Sequence, residues 1–400
     1  MTKPLLGRIA LGLSILMLST VSFAKEVKAT AEAKDWTVLV FLNGHNSLDS
    51  FGKMNIDQMS QVGSSDKVNV VVQWASEING NTKRLFVKKG GYDVVQDMKP
   101  VNMGDYKNLI EFVRWGQANY PAKKYMIDVW NHGNGWHMQE MGQIHTNDIS
   151  YDDIFHSQIT TEQLGLAMAE SAKITGHKVE LYASDACMMA MGEVAAELSD
   201  SVKFFGGSQE TEPGEGWPYS TFLARLIAKP TMDGGELASA LSQEYKAAYS
   251  GGLYGNKEVT FSAWDLSKID AFYGAVKNLA TELKALDPQS LKAAFNVIGQ
   301  AQSFAVFDYK DLSDYVTLVD QSNLRLSTHA VADVATSMNQ MLLSVDVTPY
   351  YARAHGVSVW LPTYQDDWTR YGSRYLKLNF NKKTGWGDFL STVLKNAPPY

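Results

Sequence analysis

Short, largely apolar runs recur along this chain, several stopping abruptly at small or polar residues. Trp36–Leu42 ends at Asn43-Gly44, Val68–Trp74 at Ala75-Ser76 and Tyr125–Trp130 at Asn131-His132-Gly133; Val179–Ala183, Lys203–Gly207 and Val259–Trp264 continue the series. A strand apolar at successive positions has no face to give to water, so it belongs inside a sheet covered on both sides. Between the runs the spacing turns helical. Asp105–Asn119 carries Leu109, Ile110, Phe112, Val113 and Ala118 and is closed by Pro121, and further helices are predicted near Glu162–Lys173, Met188–Leu198, Tyr219–Ile227 and Gly235–Tyr249. Arg84–Val87 and Tyr92–Val95 flank Gly90-Gly91 as a hairpin. Strands interleaved with helices predict an α/β fold, a mainly parallel sheet with helices on both faces.

After Asp265 the pattern changes. Ser267–Leu286, Gln289–Ala301 and Thr328–Leu343 are long amphipathic stretches, and only Gly356–Leu361 resembles another buried strand. The expected organisation is a core over residues 36–265 with a mostly helical subdomain, 266–400, packed on it. Ahead of the core, Lys3 and Arg8 precede the apolar run Ile9–Leu18 and the small-residue exit Ser22-Phe23-Ala24. That order predicts a signal peptide over 1–24, cut after Ala24, and a polar, disordered lead over 25–35. The mature chain is expected in the periplasm or the medium, as a monomer with no membrane span.

The balance of 36 Lys+Arg against 43 Asp+Glu, a net charge of −7, argues against a nucleic-acid partner and leaves proteins, peptides or small molecules. One cysteine in 400 residues excludes an internal disulfide and a multi-thiolate zinc site. That thiol, Cys187, sits in Ser184-Asp185-Ala186-Cys187 at a strand end, and His132 ends another strand in Asn131-His132-Gly133. In an open α/β sheet, reactive groups gather beyond the carboxyl ends of the strands. Cys187 and His132 have the types needed for nucleophile and proton carrier. A helix beginning just after Cys187 would favour negative charge on sulfur. Gly133, lacking a side chain, lets its N–H approach a substrate and join that of Cys187 around an oxyanion. The same residues also suit a buried apolar cysteine and a turn histidine.

Taken in order, Trp130-Asn-His-Gly-Asn-Gly-Trp136, Asp185-Ala-Cys-Met-Met-Ala-Met-Gly-Glu193 and Gly207-Ser-Gln-Glu-Thr-Glu-Pro-Gly-Glu-Gly-Trp-Pro-Tyr219 resemble the clostripain family of cysteine endopeptidases, which have a caspase- and gingipain-like fold. Asp152-Asp153, Ile159–Leu164 and Gly356–Pro362 fit as well, so the resemblance runs from Trp36 to Pro362. It implies His132 and Cys187 as the catalytic pair, the N–H groups of Gly133 and Cys187 as the oxyanion hole, and Asp185 at the base of a pocket for a basic residue. Cleavage after Arg, then Lys, follows from a buried carboxylate there. Glu210 and Glu212 add negative field to the pocket or are simply solvated. Kept fold with lost chemistry, as a binding or scaffold protein, is the alternative; a transpeptidase using the same acyl-enzyme is another.

No cofactor is required by this chemistry. His137, His145 and His156 with Asp148, Asp152 and Asp153 show no convincing ligand spacing and read as a polar loop. Calcium dependence occurs in the family and Asp148–Asp153 offers hard oxygens, but no site can be mapped. The aromatics Trp360, Tyr364, Trp368, Tyr371 and Tyr375 are expected to seal a helix onto the core. One departure from the family stands out. Its members are typically matured at a basic residue between the catalytic His and Cys, yet no Lys or Arg occurs from Tyr125 to Ala172. A single chain, or one matured elsewhere, is the expectation.

Overall fold

The computed structural model describes residues 1–2, 32–137 and 148–395. The chain divides into a leading unit, Met1–Ala31, and a body, Glu32–Tyr400. The predicted signal peptide beyond its first two residues, and the lead as far as residue 31, lie outside the described residues.

The strands of the body are β1 Lys34–Gly44, β2 Val68–Ser76, β3 Asn81–Lys88, β4 Gly91–Met98, β5 Ala122–Trp130, the short β6 Ile149–Asp152 and β7 Ser157–Ile159, β8 Val179–Ala183, β9 Val202–Gly207, the short β10 Ser250–Gly252 and β11 Gly255–Asn256, β12 Thr260–Asp265, β13 Tyr309–Asp311, β14 Leu342–Val347 and β15 Ser358–Trp360. The large sheet has the order β14-β12-β9-β8-β5-β1-β2-β3-β4. Its centre, β9-β8-β5-β1-β2, is parallel throughout. The hairpin β3–β4 extends one edge antiparallel and β12–β14 the other.

The central strands are apolar on both faces because both faces are covered. From β1, Leu39 and Phe41 enter one core while Trp36, Val38, Val40 and Leu42 enter the other. The second core is roofed by helices Asp49–Val62, Tyr219–Ala228 and Gly234–Tyr249, through side chains such as Ile56, Phe222 and Leu241. The first is roofed by Tyr106–Asn119, Thr161–Thr175 and the C-terminal helices, among them Ile269–Lys284, Thr328–Met341 and Trp386–Lys395. Local signals start these helices where the sequence suggests. Asp105 caps the N–H of Lys107, and Thr160 with Gln163 forms a reciprocal capping box.

One expectation is corrected here and another holds. The stretch after Thr328 leaves the helix at Met341 and continues as β14, an edge strand whose side chains alternate between half-buried and exposed along Leu342–Ser344. The late run around Gly356 does form a strand, β15, but it pairs with β13 outside the main sheet. Among the described residues, no helix is long and apolar enough to cross a membrane.

Candidate active site

β5 and β8 are parallel neighbours, so the residues that follow them emerge side by side at the carboxyl end of the sheet. His132 follows β5 and Cys187 follows β8. Both line a pocket of about 100 Å³ together with Trp130, Asp185, Glu212 and Gly216.

The turn that carries Cys187 differs from expectation. Met188 adopts a left-handed backbone, φ 58°, and the next residues run along the loop after β9, with the N–H of Met188 on the Glu210 carbonyl at 3.0 Å and that of Ala190 on the Ser208 carbonyl at 2.9 Å. The helix begins only at Gly192. Its dipole, which fades within a turn, therefore does not reach the sulfur. The thiol instead accepts the N–H of Glu212 at 3.2 Å. Burial pushes the Cys187 thiol above its ordinary 9.0; the N–H groups of Glu212 and Gly133 oppose this, and the carboxylates of Glu210 and Asp185 add to it. Burial likewise holds the His132 imidazole below its usual 6.5 against the opposing charge of Asp153. The resting pair is thus a neutral thiol beside a neutral imidazole.

Gly133 is a glycine for a steric reason. A Cβ there would lie 2.5 Å from the carbonyl oxygen of Cys187 and 3.1 Å from its amide nitrogen. The close approach aims the Gly133 N–H at the sulfur. The imidazole has a partner that sequence reading missed: Nε2 of His132 stands 3.1 Å from Oγ of Ser47. Ser47 follows β1, on a segment fastened to the β6 strand. Asn43 Nδ2 donates to Ser150 Oγ and to the Tyr151 carbonyl, Asn46 Nδ2 donates to the same carbonyl at 2.7 Å, and His45 Nδ1 meets Asp152 Oδ2 at 2.9 Å.

Asp185 is buried at the pocket floor. Its Oδ2 accepts the N–H of Trp217 at 3.1 Å and lies 3.0 Å from the hydroxyl of Tyr219. Gly216, at φ 63°, leaves room for it, since a Cβ there would sit 2.7 Å from that oxygen. Burial raises Asp185 to about 6, while Glu212, Trp217 and Tyr219 pull the other way. Glu212 is raised well above the carboxylate range by burial and by the charge of Asp185. As carboxylates the two groups have no donor between them, and among the described residues neither buried Glu212 oxygen meets a donor. A proton on Glu212 supplies the missing donor.

Glu210 stands apart from these groups. Its carboxylate accepts N–H bonds from Thr211 and Ala305 and the hydroxyl of Tyr351 at 2.8 Å. It ties the loop after β9 to the C-terminal part of the chain and reaches the thiol only through its field.

The polar residues after His132 are structural in their contacts. Asp152 accepts the N–H groups of Met103, Ile154 and Phe155 and meets His45. Asp148 accepts the N–H of Thr161 and pairs with Arg374, which also pairs with Glu162 and donates to the Trp136 carbonyl at 2.7 Å. His137 is buried and stacked on Tyr371, centroids 4.4 Å apart. His156 and Asp153 are exposed, and His145 lies outside the described residues. With the oxygens of Asp148 and Asp152 committed to protein donors, this stretch does not fit a calcium site. Among the described residues no group of three or more His, Cys, Asp or Glu is placed to hold a metal ion. Trp360, Tyr371 and Tyr375 pack edge-on to Trp136, sealing helix Gln365–Tyr375 against the segment that follows His132; Tyr364 stays exposed.

The model of the clostripain family, the C11 peptidases, matches residues 40–392. The chain belongs to the clostripain family. It is 23% identical over 345 residues to the clostripain of Hathewaya histolytica, an alignment covering 75% of this chain and 64% of that protein, so the chain spans about 64% of the length of that relative. Among solved structures, it resembles a secreted C11 cysteine protease from Bacteroides thetaiotaomicron in complex with an irreversible peptide inhibitor, with a TM-score of 0.67 at 18% identity over 88% of this chain and 99% of that one. An inactive zymogen C11 protease from Parabacteroides distasonis gives a TM-score of 0.68 at 18% identity over 88% of this chain and 98% of that one. At such identity these likenesses establish the shared fold. Within this clostripain-family chain, Ser47, Asp128 and Tyr219 escaped sequence reading. Only Asp128 left a signal, a carboxylate inside the otherwise apolar run Tyr125–Trp130.

Proposed function

We propose that this chain is an exported cysteine endopeptidase that cleaves after Arg, and less well after Lys, through Cys187 and His132. The observation that carries the reading is the shared pocket, in which the thiol and the imidazole of adjacent strand ends stand above the buried carboxylate of Asp185. A guanidinium entering that pocket meets an acceptor suited to paired N–H bonds. The Cys187 sulfur then adds to the carbonyl carbon as its proton passes to His132, and the oxyanion is received by the N–H groups of Gly133 and Cys187. His132 gives the proton to the departing amine, the C–N bond breaks and a thioester remains. Water, losing a proton to His132, adds to the thioester; the acid leaves and the thiol regains its proton. The neutral resting pair fits a histidine that works on the leaving group rather than one that stores a thiolate. Export is supported by the order of charged, apolar and small residues in Met1–Ala24.

The test is labelling of purified protein, under reducing conditions, by an electrophilic peptide ending in Arg. Labelling should require Cys187, and Cys187→Ala should hydrolyse no peptide. Wild-type protein that takes no label, or a Cys187→Ala variant as active as wild type, would remove the assignment. Asp185→Ala should abolish the preference for Arg and Lys, and unchanged preference would take Asp185 out of the pocket's role.

A further inference from the structure

Behind Asp185 the pocket floor continues into a line of buried oxygen atoms. Asp128, on β5, is fully buried. Its Oδ1 accepts the N–H of Asp185 at 3.3 Å, and its Oδ2 lies 2.6 Å from the hydroxyl oxygen of Tyr219. That hydroxyl oxygen in turn lies 3.0 Å from Asp185 Oδ2. Three oxygens joined in series at hydrogen-bonding distance need two hydrogens between them. Tyr219 supplies one, so the other belongs to a carboxyl.

Asp128 is the group best placed to carry it. Asp185 touches the pocket and receives the Trp217 N–H, which favours its ionised form. Asp128 accepts only the longer N–H bond from Asp185, at 3.3 Å, and does not line the pocket. Burial and the neighbouring charge of Asp185 both disfavour its ionised form, and among the described residues neither Asp128 nor Asp185 is paired with a cation. Tyr182, a further titratable neighbour of Asp128, carries no positive charge and accepts the hydroxyl of Ser184 at 2.7 Å. Two further ionised carboxylates beside Asp185, without a cation, would leave uncompensated charge in a dry site. The order that satisfies every atom is Asp128 O–H donating to Tyr219, and Tyr219 O–H donating to Asp185.

We propose that Asp128 is held as a carboxylic acid and, through Tyr219, orients Asp185 as the single anionic acceptor for a basic substrate side chain. This rests on the reading of Asp185 as the base of the specificity pocket. Asp128 and Tyr219 are then positioning residues, touching neither substrate nor the reacting atoms. With Glu212 protonated on the other side, the pocket presents one negative charge to one guanidinium.

The experiment compares kcat/KM of the full chain for two peptides identical except for Arg or its neutral isostere citrulline before the cut bond. Asp128→Asn should keep the Arg-to-citrulline ratio within about twofold, since the amide nitrogen donates to Tyr219 as the acid did and the amide oxygen still accepts from Asp185. Tyr219→Phe should lower the ratio about tenfold, the order expected for one hydrogen bond to a charged acceptor, and mostly through KM. At neutral pH the infrared carbonyl stretch of a protonated carboxyl should be present in wild type and lose one component in Asp128→Asn. A ratio that falls as far in Asp128→Asn as in Tyr219→Phe, a ratio indifferent to Tyr219→Phe, or an unchanged infrared band would overturn the proposal. Asp185→Asn separates the two readings: if it leaves the ratio intact, the specificity assignment itself is wrong, whatever Asp128 carries.

Discussion

Nε2 of His132 and Oγ of Ser47 stand 3.1 Å apart, joining the ends of the neighbouring strands β5 and β1. An imidazole held through Nε2 keeps its ring plane fixed and leaves the other nitrogen for proton transfer. Removing that hold should cost rate rather than binding. Ser47→Ala is expected to lower kcat about tenfold, roughly the worth of one hydrogen bond, with KM for an Arg peptide little changed, while Ser47→Thr retains most activity. Steady-state kinetics of the three proteins decide it; a Ser47→Ala enzyme with wild-type kcat removes Ser47 from the site's machinery.

The thiol offers a second check, independent of turnover. Because burial raises Cys187 and lowers His132, the thiolate should be scarce until the pH passes the ordinary cysteine value of 9.0. Iodoacetamide should alkylate Cys187 slowly near neutrality, with a rate that climbs only in alkaline solution. A plateau already reached at neutral pH would mean that the resting enzyme holds a thiolate–imidazolium pair.

His137 links stability to acid. Its ring is 1% exposed, neither nitrogen has a partner among the described residues, and burial with the nearby Arg374 charge depresses it to about 3. Unfolded, it titrates near 6.5, so its contribution is fully present above 6.5 and is lost as the pH falls from there toward 3. The loss amounts to about 1.4 kcal/mol per pH unit in that window. His137→Phe keeps an aromatic ring against Tyr371 and has no proton to bind. Urea unfolding of both proteins across that window should show a flatter acid slope for the variant; identical slopes would exclude His137 as the source.

Much of this fold is visible in one dimension because the central strands are buried on both sides and so spell themselves as apolar runs. The same burial explains why His132 and Cys187 are conspicuous: each is the first reactive group after such a run. What stayed hidden has physical reasons too. β14 lies on an edge, and Leu342 continues the helical spacing of Val334, Met338 and Met341, so its start reads like the tail of a helix. Met188–Met191 consists of good helix formers, yet Met188 turns left-handed and the segment spends its backbone on the loop after β9 and on β15. Ser47 is an ordinary loop serine in sequence, and only the pairing of β1 with β5 gives it meaning. Tyr219 resembles any helix-start aromatic until its hydroxyl is seen between two carboxyls.

Arg374 holds the carbonyl of Trp136 and the carboxylate of Asp148 with one guanidinium, while Asn134 N–H bonds the Asp148 carbonyl. The two ends of the intervening stretch, 138–147, are therefore clasped together from outside it. One C-terminal guanidinium therefore governs how the segment after His132 is seated, since the loss of Arg374 would free the Trp136 carbonyl and the Asp148 carboxylate together.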